Sequence, residues 1–84
     1  MQLIEEVKGI LERVKRNPGL AKRLPDSAHL IDDVGLDSLE MMEFMLELES
    51  SLDLTIDFEQ LDFSCFDSIR KFSAIIATMG PRDA

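Results

Sequence analysis

The 84-residue sequence predicts an all-α fold: a small four-helix bundle with three main helices, one short helix and a long first loop. Three observations carry that expectation. Apolar residues recur at helical spacing in three separate stretches, no stretch alternates apolar and polar residues over a convincing strand length, and start and stop residues punctuate the periodic stretches. A chain of this length builds one domain, residues 1–84, burying somewhat over about 60% of its unfolded surface. With no Trp or Tyr, the core must come from Leu, Ile, Met, Val and five Phe.

Leu3, Val7, Ile10, Leu11 and Val14 mark the first helix, with Glu5, Glu6, Lys8, Glu12 and Arg13 between them. Asn17-Pro18-Gly19 ends it, because proline disfavours helix in the residue before it and glycine permits a turn. Residues 19 to 36 form a long connection with one possible helical turn in GLAKRL, pinned by Leu20, Leu24, Leu30, Ile31, Val34 and Leu36. The second main helix opens at Asp37, a good N-cap, with Glu40 three residues on in the manner of a capping box, and runs to about Leu52. IDFEQL then allows one short helical turn capped by Thr55 or Asp57. Ser64 with Asp67 signals the start of the last helix, whose Phe66, Ile69, Phe72, Ser73 and Ile76 lead to a stop at Gly80 and Pro81.

The formal net charge of -8 is unevenly placed: residues 1–23 hold six of the nine Lys and Arg, while residues 24–68 hold thirteen acids and no Lys or Arg. Such an anionic stretch repels phosphate backbones, which argues against nucleic-acid binding, and steers partners with basic surfaces. Nothing approaches the roughly 20 apolar residues of a membrane span, and the charged N-terminus does not read as a signal peptide. A soluble, cytoplasmic monomer is the expectation. The single cysteine, Cys65, precludes an internal disulfide and reads as a packed small hydrophobe. His29 reads as a loop residue. DDVGLDSLEMME lacks the acid order of a calcium loop, and no metal cluster is expected.

On a helical wheel Met41, Phe44, Met45, Leu48 and Leu52 form one apolar stripe, suited to the core. Leu39, Met42 and Leu46 form a second strip, bordered by Glu40, Glu43 and Glu47 on one side and Glu49 on the other, on the side of Ser38. Two readings of that strip stay open: it packs under the long first loop, or it is an adaptable docking face ringed by acids. Its place beside an exposed serine favours docking.

Ser38 has no local base. The only His lies nine residues upstream and no Lys falls between residues 24 and 70, so autonomous nucleophilic catalysis is not expected and the chain reads as a non-enzyme. A phosphate-linked group attached at a helix N-terminus would face the N–H groups of the first turn and the favourable end of the helix dipole. Ser38 therefore reads as a residue modified by another enzyme.

HLIDDVGLDSLEMMEFMLELE resembles the acyl carrier proteins through Gly35, Asp37, Ser38, Leu39 and the acid Glu40, with Asp32 and Asp33 before them and Glu43 and Glu49 after. The likeness extends over nearly the whole chain. It implies that Ser38 carries 4'-phosphopantetheine, added from coenzyme A by a phosphopantetheinyl transferase, and that the terminal thiol holds acyl groups as thioesters. It also implies that Asp37, Leu39, Glu40, Met42, Glu43 and Leu46 form the face read by acyl-loading and acyl-processing enzymes with basic docking surfaces. Leu36, where peptidyl carriers more often have a second Gly, favours an acyl over an aminoacyl or peptidyl carrier. The ending FSCFDSI is more similar to discrete carriers of polyketide or other specialised pathways than to fatty-acid carriers. A third alternative is an unmodified acidic helical interaction module.

Overall fold

A computed structural model describes residues 3–80, Phe58 by its backbone alone. Four α-helices follow in order, α1 (Leu3–Lys15), α2 (Leu20–Arg23), α3 (Ser38–Leu52) and α4 (Ile69–Ile76), with two 3-10 turns, Phe58–Gln60 and Phe63–Phe66, between α3 and α4.

In α1, Val7, Ile10, Leu11 and Val14 are buried as their spacing requires, and acids in the first turn and bases in the last complement the helix dipole. The helix closes one residue before the expected breaker. Arg16 takes a left-handed conformation (φ 52°), and the N–H groups of Arg16 and Asn17 donate to the carbonyls of Arg13 (3.1 Å) and Glu12 (3.2 Å), a Schellman closure without glycine. Pro18 and Gly19 (φ 85°) then turn the chain into α2, the helical turn expected in GLAKRL, where Glu12 Oε1 accepts the Ala21 N–H at 3.0 Å.

The long connection from Leu24 to Asp37 is held at several points. Leu24, Ala28, Leu30, Val34 and Leu36 enter the core, whereas Ile31, expected as an anchor, is exposed because the turn at Leu30–Asp33 points it outward. Lys8, buried on α1, donates to Asp26 Oδ1 at 2.6 Å. The carbonyls of Asp26 and Ala28 accept the Arg70 (2.9 Å) and Ile69 (3.0 Å) N–H groups, so the loop satisfies first-turn donors of α4 that have no helical acceptor.

α1 packs on α2, α3 and α4, while α3 meets α4 through Phe44 and Phe72, whose ring centroids lie 5.5 Å apart. Phe66 also stacks on Phe72, at 5.8 Å. The core-side stripe expected for α3 holds: Phe44, Met45 and Leu48 are buried and Met41 and Leu52 pack partly against them.

Two boundaries differ from the sequence expectation. The last helix starts at Ile69 with Ser68 as its cap, accepting the Lys71 N–H at 2.9 Å. Ser64 is drawn into a separate 3-10 turn, its hydroxyl donating to Asp62 Oδ1 at 2.6 Å, and Phe66 belongs to that turn. That helix also ends at Ile76, before Gly80, because Thr78 and Met79 donate to Ile75 and Ile76 in tightened i to i−3 turns; Pro81 lies outside the described residues. The short turn expected in IDFEQL is present as Phe58–Gln60. Asp57 supplies its cap, accepting the Glu59 N–H at 3.0 Å.

Candidate functional site

The start of α3 is fixed by side chains local in sequence. Asp37 is extended (φ −91°, ψ −177°), its Oδ1 accepts the Glu40 N–H at 2.8 Å, and Glu40 Oε1 accepts the Asp37 N–H at 3.2 Å, a complete capping box. Ser38 is the first helical residue and is exposed. The chain enters this turn through Gly35, left-handed at φ 83°, a conformation that glycine adopts without steric cost.

A residue distant in sequence completes the arrangement. Lys15 Nζ, from the last turn of α1, donates to Gly35 O and to Glu40 Oε1, both at 2.8 Å. The ammonium, helped by the Asp37 N–H, holds the Glu40 carboxyl below the usual carboxylate range. No sequence expectation included Lys15, whose only local signal is a basic residue at a helix C-terminus.

Leu39, Met42 and Leu46 lie together on the outer face of α3, 66%, 61% and 62% exposed. They do not pack under the first loop, which reaches the core through its own Val34 and Leu36. Glu43 stands half-buried beside them. The carboxylates of Asp37 and Glu40 are engaged in the capping box, Glu47 pairs with Arg13 at 3.2 Å, and Glu49 Oε2 turns away to accept the Ile56 N–H at 2.9 Å. A shallow cleft of about 330 Å³ between Arg13, Arg16, Glu43 and Leu46 borders the strip, so cations as well as acids edge this face. The sequence reading also missed Phe63, 84% exposed at the outer turn after α3.

Ser38 also opens onto a groove of about 540 Å³ that runs along α3, walled by Met41, Met45, Leu61 and Phe66 together with Met42 and Leu46 of the strip and with Glu49. It is mainly apolar and begins at the serine. An exposed hydroxyl, first-turn N–H groups and an adjacent apolar trough suit a residue that carries a long phosphate-linked substituent.

The groups of the right type to activate a serine are bonded elsewhere. Lys15 is committed to Gly35 and Glu40. His29 Nδ1 accepts the N–H groups of Ile31 (3.1 Å) and Asp32 (3.0 Å), while Nε2 faces Asp32 and Asp67 at 4.0 and 3.9 Å. Among the described residues no cluster of three or more His, Cys, Asp or Glu could hold a metal ion, and no helix is long and apolar enough to cross a membrane.

Comparison with known proteins gives this geometry a context. The family model described as "Phosphopantetheine attachment site" matches residues 2–76. The chain is 34% identical over 77 residues to "Aminoacyl carrier protein 1" of Bradyrhizobium diazoefficiens, covering 92% of this chain and 80% of that protein. Its fold is that of a holo acyl carrier protein from Nitrosomonas europaea solved by NMR in solution, with a TM-score of 0.79 at 23% identity, covering 92% of this chain and 94% of that one. The chain belongs to the acyl carrier protein family, carriers and not catalysts, whose prosthetic group is covalently attached 4'-phosphopantetheine.

Proposed function

We propose that Ser38 is the attachment point of the 4'-phosphopantetheine arm and that this chain shuttles thioester-linked intermediates between partner enzymes. The observation that carries this reading is the placement of Ser38: an exposed hydroxyl on the first residue of α3, framed by the Asp37–Glu40 capping box and opening onto an apolar groove. When bound, the arm supplies a thiol for thioester formation. The protein supplies the N–H groups at the start of α3 and the apolar wall of Met41, Met45 and Phe66.

The strip of Leu39, Met42 and Leu46 with Glu43 beside it, and Asp37 and Glu40 at its serine end, is the face read by the transferase and by acyl-loading and acyl-processing enzymes with basic surfaces. Flexible exposed apolar side chains of Met and Leu re-pack against several partners in turn, as a shuttle requires. The groove's apolar lining supports an acyl cargo of polyketide, other specialised or fatty-acid type, and the lone buried cysteine accords with a cytoplasmic site.

Incubation with coenzyme A and a promiscuous phosphopantetheinyl transferase, followed by mass spectrometry, tests the assignment. The wild type gains one phosphopantetheine mass and Ser38→Ala gains none. A mass gain that survives the substitution sinks the assignment, and no gain in either leaves an acidic interaction module in its place.

A second reading concerns the cargo. The likeness to a protein named as an aminoacyl carrier favours an amino acid on the same arm. Loading of the holo protein by amino-acid-activating and by acyl-transferring enzymes separates the two.

A further inference from the structure

We propose that Lys15 is a positioning residue for the modification of Ser38, a role that rests on Ser38 being the attachment point. Three facts converge on the ammonium. It binds the Gly35 carbonyl, three residues before the serine, and Glu40 Oε1, two residues after it, at 2.8 Å each. The same Glu40 oxygen accepts the Asp37 N–H at 3.2 Å, so one cation from another helix closes a loop of contacts around Asp37 and Ser38. The Lys15 and Glu40 side chains are both partly shielded from water, which makes their pairing more persistent than that of a fully exposed ion pair.

Buried Leu36 anchors the turn from Gly35 to Ser38 in the core and the Gly35 N–H donates to the Ile31 carbonyl at 3.0 Å, but both hold the entry of the turn and not the first turn of α3. Gly35 is exposed and conformationally permissive, and the capping box joins Asp37 only to its own helix. Lys15 links the entry of the turn and the first turn of α3 to the last turn of α1. In arm transfer the Ser38 oxygen bonds to the phosphorus that carries pantetheine, the diphosphate P–O bond breaks to release adenosine 3',5'-bisphosphate, and the hydroxyl proton passes to a base of the transferase; attack must be in line, and small misplacements cost large factors in rate. The ammonium also neutralises Glu40 where the anionic diphosphate of coenzyme A must approach, so orientation and charge act in the same direction.

The test is the steady-state kinetics of arm transfer from coenzyme A to the full chain by a promiscuous transferase. For Lys15→Met the expected result is a kcat lower by about tenfold with KM for the carrier within about twofold, and Lys15→Arg, which keeps the charge and reach, recovers most of the rate. Glu40→Gln added to Lys15→Met costs less than it does alone, because the two side chains act as one unit. Three results would overturn the proposal: an unchanged kcat in Lys15→Met, a change confined to KM, or a rate loss that merely tracks the folded fraction by circular dichroism. Mapping the modified residue separates the two levels. Modification away from Ser38 in the wild type removes the attachment assignment, whereas equal rates at Ser38 in wild type and Lys15→Met remove only the role of Lys15.

Discussion

Leu46 and Leu48 stand two residues apart on α3 and occupy opposite media, Leu48 fully buried against the core and Leu46 62% exposed beside Glu43. A two-residue step turns a helix by about 200°, so side chains of the same type face the core in one case and solvent in the other. Leu48→Ala is expected to cost about 2–5 kcal/mol of stability through lost packing and a residual cavity. Leu46→Ala changes stability by less than about 0.5 kcal/mol and instead slows delivery to a partner enzyme. Chemical denaturation paired with transfer kinetics reads both.

Glu43 is the acid of the strip with the least structural employment, since Glu40, Glu47 and Glu49 are each held by a named donor. Glu43→Lys is expected to leave helicity unchanged and to slow partner association by about tenfold at low salt, with the gap narrowing as ionic strength rises. An equal loss of thermal stability and transfer rate would mark the residue as structural.

How much of this was legible in the sequence follows from the range of the interactions. The capping box could be read because Asp37 and Glu40 lie three residues apart, and the two stripes of α3 could be read because helical geometry alone sorts them. The beginning of α4 was misplaced because Asp62, Ser64, Asp67 and Ser68 offer overlapping cap signals, and only the fold shows Ser68 accepting the Lys71 N–H. Lys15 and Lys8 were invisible for a different reason. Their partners Gly35, Glu40 and Asp26 lie 18 to 25 residues away, and no local pattern encodes such a pairing. Ile31 was misjudged because burial in an irregular loop has no period to read.

Acid should unfold the protein through three carboxylates whose folded values lie below the ordinary ones. Asp26 is lowered by Lys8, Glu40 by Lys15 and then the Asp37 N–H, and Asp62 by the Ser64 hydroxyl. A depressed folded value means that the stabilisation is present above the ordinary value, 3.8 for the aspartates and 4.5 for the glutamate, and is lost as pH falls through the folded one. The melting temperature is therefore expected to be level with respect to these groups from pH 7 to about 5 and to drop below that. In Asp26→Asn the drop is shallower, from a lower starting point.

Ser73 lies buried on α4 with a hydroxyl that has no hydrogen-bond partner among the described residues. Ser73→Ala removes an unsatisfied polar atom and adds helix propensity, so a gain of about 1 kcal/mol in unfolding free energy is expected. A measured loss would mean that the hydroxyl is satisfied in solution.

Cys65 is fully enclosed, and burial pushes its thiol above the ordinary value, away from the reactive thiolate. For the proposed shuttling of thioesters this amounts to chemical silence. The single cysteine of the chain cannot intercept a cargo by intramolecular exchange, so a loaded arm would have no rival thiol. An alkylating reagent applied to the folded protein is accordingly expected to leave the unmodified chain untouched and to label the arm-bearing form once, making a simple thiol count a direct gauge of how much protein is ready to carry.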